Sequence, residues 1–133
     1  AMEPNEAVFT LIRNNDLATL SRLLADHPEV LLAKDGRGST PLVLATYLGN
    51  LPATKALVEA GADLNAVDGV GNTALMGVCF KGNTEIARYL LDKGADATIK
   101  SESGGSAHQY ATMFKQAEIL TLLEEYGADA GAE

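Results

Sequence analysis

The sequence predicts an all-α solenoid, built by stacking helix-turn-helix units side by side. Three observations predict it. Residues 35–67 and 68–100 are one segment written twice. At a constant shift of 33 residues Gly38 falls on Gly71, Thr40 on Thr73, Leu42 on Leu75 and Gly49-Asn50 on Gly82-Asn83. Gly61-Ala62-Asp63 recurs as Gly94-Ala95-Asp96 and again as Gly127-Ala128-Asp129. A fixed period of this size marks an array in which each unit covers its neighbour's apolar face. Helix starts and stops also recur at matching offsets, and apolar residues such as Ile86, Leu90 and Leu91 fall at helical spacing.

Each element carries its own local signal. The N-terminal segment predicts helices near residues 4 to 14 and 16 to 26, with Asn15-Asp16 at the corner and Asp16 as N-cap. Leu23-Leu24 matches Leu57-Val58 at a shift of 34, and His27-Pro28 ends the second helix. In the next unit Asp35-Gly36-Arg37-Gly38 is a turn sequence. Thr40 caps a short helix, with Pro41 in the first position, where no N–H is needed. Gly49 ends that helix as a left-handed C-cap, and Asn50 caps the next. Pro52 falls in its first turn, Leu57 and Val58 supply its buried stripe, and Gly61 ends it. In residues 68–100, Thr73 and Asn83 cap, Leu75 and Val78 point inward, and Gly82 stops the first helix.

Residues 101–130 keep Gly104, Ser106 as the cap, Ala111, Ile119, Leu123 and Gly127, but put Lys115 at the mid-unit glycine and Glu124 at the second buried leucine. A polar residue there suits a last unit on which nothing stacks. The organisation expected is a single domain over 1–133, with two full units and two capping units, at about 4–34, 35–67, 68–100 and 101–130.

Composition supports a core and narrows the partners. Apolar residues make up 47% of the chain, too many for a disordered one, while aromatics are 5% and Trp is absent, so Ala and Leu carry the packing. Net charge is −8, which repels phosphate and argues against nucleic acid and anionic membrane as partners. Cys79 stands alone, so no internal disulfide forms. No apolar run approaches the roughly 18 residues of a membrane helix. Ala1 before Met2 reads as a remnant of tag removal, and no signal-peptide core comes after it, so a cytoplasmic protein is expected.

The motif Thr40-Pro41-Leu42-Val43-Leu44-Ala45, then Gly49-Asn50, Leu57-Val58 and Gly61-Ala62-Asp63-Leu64-Asn65-Ala66, resembles the ankyrin repeat. Thr73-Ala74-Leu75, Gly82-Asn83 and Gly94-Ala95-Asp96 match it again, and about ten positions recur in register. The resemblance implies L-shaped units. Turn tips point one way, first helices line a concave face and second helices form the back. The family histidine after Thr-Pro-Leu, which commonly ties neighbouring turns, is replaced by Val43, Met76 and Gln109, which implies looser turns. The resemblance is to small stand-alone members found in bacteria, which neutralise or assist a neighbouring gene's product.

No catalytic set is convincing, and neither a cofactor nor a metal is expected. Cys79 matches Thr46 and Thr112 and reads as a buried packing residue. His27 reads as an exposed helix-end residue, and His108, at the inward Leu42/Leu75 position, as a semi-buried, hydrogen-bonded one. The paired glycines at 36/38, 69/71 and 104/105 are turn residues, since no GxxxxGK[ST] pattern exists. Asn65 reads as a loop-stabilising residue.

The informative positions are those that vary between units. The resemblance places partner contacts on the exposed end of the first helices and on the turn tips. These are Tyr47, Leu48, Phe80, Lys81, Met113 and Phe114 on the helices, and Arg37, Ser39, Val70, Asn72, Glu102 and Ser103 at the tips. Helix pairs stacked roughly 10 Å apart would spread the large side chains over roughly 20 Å in a row. Apolar anchors in a polar surround are what interface hot spots are made of. The function expected is a protein-binding module that inhibits or regulates an enzyme or toxin, monomeric and without enzymatic activity. The alternatives are a self-associating block joined through Phe80, Met113 and Phe114, and a small-ligand or enzymatic site near Cys79 and His108.

Overall fold

A computed structural model describes residues 2–127. Among these residues the chain forms helix pairs and no strand ladder, only an isolated bridge between Val67 and Thr73. The helices are α1 (Pro4–Arg13), α2 (Leu17–Asp26), α3 (Pro41–Tyr47), α4 (Leu51–Glu59), α5 (Ala74–Lys81), α6 (Thr84–Asp92), α7 (Ala107–Met113) and α8 (Ala117–Glu125). The first helices α1, α3, α5 and α7 pack against one another in sequence, and α2 against α4 and α6 against α8 form the layer behind. The Gly127-Ala128-Asp129 recurrence lies largely outside the described residues.

Short helices of this kind are marginal alone, so their ends are satisfied locally. Thr40 Oγ1 accepts from the Val43 N–H at 3.2 Å, and Thr73 Oγ1 does the same for Met76. Asn50 and Asn83 cap α4 and α6, each accepting at 3.0 Å, and Asp16 caps α2. Two helix starts close reciprocally, with the Ser106 N–H donating to Gln109 Oε1 and the Thr73 N–H to Met76 Sδ. At the corners Gly49 and Gly82 take positive φ, and so do Asn15 and Lys115, which have side chains. A polar ladder runs down the same edge: Asn50 Nδ2 donates to Asn15 Oδ1 at 3.0 Å, and Gln116 Nε2 to the Phe80 carbonyl.

The core is a continuous apolar seam between the layers. Ile12, Leu20, Leu42, Leu57, Leu75, Ile86, Leu90, Ile119 and Leu123 are all buried in it. Each helix pair covers its neighbour's face, as the period implied.

Three expectations need correction. Pro28 does more than stop α2, because it starts a 3-10 turn over Pro28–Leu32 that seats Val30 fully in the core. The turns are not left untied by the missing histidine. Gly69 N–H donates to the Arg37 carbonyl at 3.2 Å and Glu102 N–H to the Val70 carbonyl at 3.1 Å. The main chains approach so closely that a Cβ on Gly38, already at φ +78°, would sit 2.8 Å from Gly69 N. His108 is buried as expected, but its Nδ1 has no hydrogen-bond partner among the described residues and its Nε2 lies 3.7 Å from Glu124 Oε2. The Asn65 loop does bridge outward, with Asn65 Oδ1 accepting from the Asp96 N–H of the next unit at 2.8 Å.

Candidate functional site

The turns and the first helices enclose a groove of about 730 Å³. Its floor is apolar. Val43, Leu44 and Tyr47 come from α3, and Met76, Gly77 and Phe80 from α5. Phe114, just past α7, closes one end, and Arg13 with the turn Asp35–Ser39 forms the other. The turns stand rigidly beside it, because Asp35 Oδ1 accepts from the N–H groups of Arg37 and Ser39, and Asp68 Oδ1 from those of Val70 and Asn72.

The aromatic side chains form one cluster. Tyr47 and Phe80 lie parallel, with centroids 6.4 Å apart and planes 4° off. Phe114 meets Phe80 edge-on at 4.8 Å. Such pairs prefer offset-parallel or edge-to-face contact because the ring face is negative and the edge positive. Lys81 Nζ sits 4.8 Å from the Tyr47 centroid, so it adds a cation to the same patch. The expected row of separated anchors is thus a contiguous cluster, since these side chains are long enough to lean across the gap between neighbouring units.

The twelve positions singled out from sequence divide. Arg37, Ser39, Tyr47, Leu48, Asn72, Phe80 and Phe114 line the groove. Lys81 lies over Tyr47. Val70 and Glu102 are exposed on the tips, outside the lining, as is Met113 at 64% exposure. Ser103 is exposed, but its hydroxyl is engaged with Tyr110 and Ser101. Ser39 does not belong with the tips. It is buried at 9% exposure because it closes the base of its turn, pairing main chain to main chain with Asp35.

Sequence reasoning passed over Arg13, Met76 and Tyr110. Arg13 stands 34 residues before Tyr47, the same shift that relates Leu23-Leu24 to Leu57-Val58, so the signal was present in the degenerate first unit. Its side chain is 52% exposed and its guanidinium lies 3.8 Å from Asp35. The Tyr110 hydroxyl bonds Ser101 and Ser103, and its ring fills the space a Cβ on Gly105 would need.

Cys79 and His108 are absent from the groove lining. Cys79 is fully buried and burial pushes its thiol up to about 12, which removes the thiolate a nucleophile needs. Among the described residues no cluster of His, Cys, Asp and Glu could hold a metal ion.

The model for ankyrin repeats, in three copies, matches residues 49–133. The chain belongs to the ankyrin repeat family. No curated protein matches it. Ankyrin repeats are generally protein–protein interaction modules and generally not enzymes. Residues 2–48 lie outside the family match, yet α1 and α2 pack in register with the neighbouring ankyrin pair. No helix of the described residues is long and apolar enough to cross a membrane.

Proposed function

We propose that this ankyrin protein grips a partner protein in the groove over Tyr47, Phe80 and Phe114, and so inhibits or regulates an enzyme or toxin in the cytoplasm. The exposed ring cluster is the observation that carries the reading. A folded chain gains by burying such surface, and a contiguous exposed aromatic patch framed by polar turns has the form of an interface hot spot. Groove floor, turn wall and Lys81 supply the apolar centre and polar rim that interfaces combine. The protein itself is a monomer in this reading, and the free groove serves another chain.

The test is affinity capture from the source cell with wild type and with Tyr47→Ala/Phe80→Ala, then titration of each purified partner. The double variant should fold normally, because both rings are exposed, and should weaken binding by roughly 2 kcal/mol or more. Unchanged binding of every partner would sink the assignment.

Self-association through Phe80, Met113 and Phe114 is the second reading, favoured by the exposure of Met113 next to Phe114. A mass that doubles at high concentration, and reverts in Met113→Glu, would favour it over the first.

A further inference from the structure

We infer that the groove is built for an acidic, apolar segment of its partner, with large side chains on the ring cluster and a carboxylate received by Arg13 and Arg37. This rests on the groove being the partner-binding surface and adds the chemistry of the occupant.

Charge is segregated across the stack. Among the first helices, α3, α5 and α7 contain no carboxylate and Lys81 as their single charge, and α1 carries Glu6 against Arg13. The helices behind them carry Asp26 on α2, Glu59 on α4, Glu85 and Asp92 on α6, and Glu118, Glu124 and Glu125 on α8, against only Arg22, Lys55 and Arg88. A chain of net charge −8 therefore turns its least negative side toward the groove.

The two carboxylates in the groove wall are already occupied. Asp35 holds two N–H groups of its turn and pairs with Arg13, and Asp68 holds two N–H groups of the next turn. Recruiting either for a partner cation would loosen the turns that shape the groove.

The arginines retain capacity. A guanidinium has five N–H donors, and Arg13 uses one nitrogen on Asp35 at 3.8 Å. The Arg37 guanidinium forms no ion pair among the described residues. Both line the same end of the groove, and Lys81 adds a third cation beside Tyr47. A basic segment would meet like charge there, whereas an acidic one gains complementarity at that end and beside Tyr47.

The test is display selection of random dodecapeptides on the immobilised full chain, then fluorescence anisotropy with synthetic copies of the winners. Expected peptides carry Asp or Glu beside Leu, Phe, Tyr or Trp. Arg13→Glu/Arg37→Glu should weaken them about tenfold or more, and raising salt should weaken them severalfold. A Lys-for-Asp/Glu version of the same peptide should bind the charge-reversed protein better than it binds wild type. That exchange shows a folded variant and a charge-specific contact together. Winners that need Tyr47 and Phe80 but carry neutral or basic flanks, or ignore the charge reversal, overturn this inference and leave the groove standing. Displacement of the winners by single-stranded oligothymidine also overturns it, since the end would then be a phosphate site. Winners indifferent to Tyr47→Ala/Phe80→Ala overturn the groove reading itself.

Discussion

Lys115 holds the corner position that glycine holds in the two central units, and it does so at φ +59°, where Gly82 sits at +85°. A side chain in the left-handed region carries a backbone cost of about 1 kcal/mol or more that glycine avoids. Lys115→Gly should therefore raise stability by about 0.5–1 kcal/mol, read as a higher urea midpoint at unchanged slope. A midpoint that stays put or falls would mean the last corner is unstrained. Cys79 makes a second prediction. Burial raises its thiol from 9.0 to about 12. The folded state thus keeps a proton that the unfolded chain releases, so its contribution is complete below pH 9 and fades as pH climbs toward 12. At about pH 8, below the thiol's ordinary range, a thiol reagent should leave the native protein unlabelled and modify it only as fast as it unfolds. Rapid labelling without denaturant would contradict the burial.

At the element level, α7 departs from the other first helices at one buried position. It places His108 where α3 and α5 place Leu42 and Leu75, leaving a buried ring nitrogen without a partner among the described residues. An unsatisfied buried polar atom costs about 1–3 kcal/mol, so His108→Leu should stabilise by about 1 kcal/mol in the same urea titration. Destabilisation would show that the contact with Glu124 outweighs the stranded nitrogen. The elements themselves were legible because their punctuation is local chemistry. Thr40, Thr73 and Ser106 before the first helices, and Asp16, Asn50 and Asn83 before the second, announce helix starts to a reader of sequence. Pro28 was legible only as a stop. The 3-10 turn it opens depends on Val30 finding room under α2, a tertiary fact.

Across the whole molecule the period dictated the stack, but the shape of the groove lay beyond it. Periodicity says which positions are equivalent, so it singles out Tyr47 and Phe80. It does not say how far a ring leans, so a spaced row became a touching cluster. Nor does it separate Ser39, at the base of a turn, from Arg37 at its tip. Arg13 escaped because the first unit keeps the register while losing the motif. In an array whose units touch only their neighbours, opening begins at the ends. The amides of α7 and α8 should exchange with solvent faster than those of α5 and α6, as measured by hydrogen exchange in native buffer. Equal protection would mean the described units open as one. Phe114 belongs to that outer pair, whereas Tyr47 and Phe80 come from two pairs further in. A guest lodged across all three rings would act as a clasp, fastening the loose end of the stack to its middle. Part of its grip would be spent on that fastening, and a protease would find the far end harder to nick even where the guest never covers the cut.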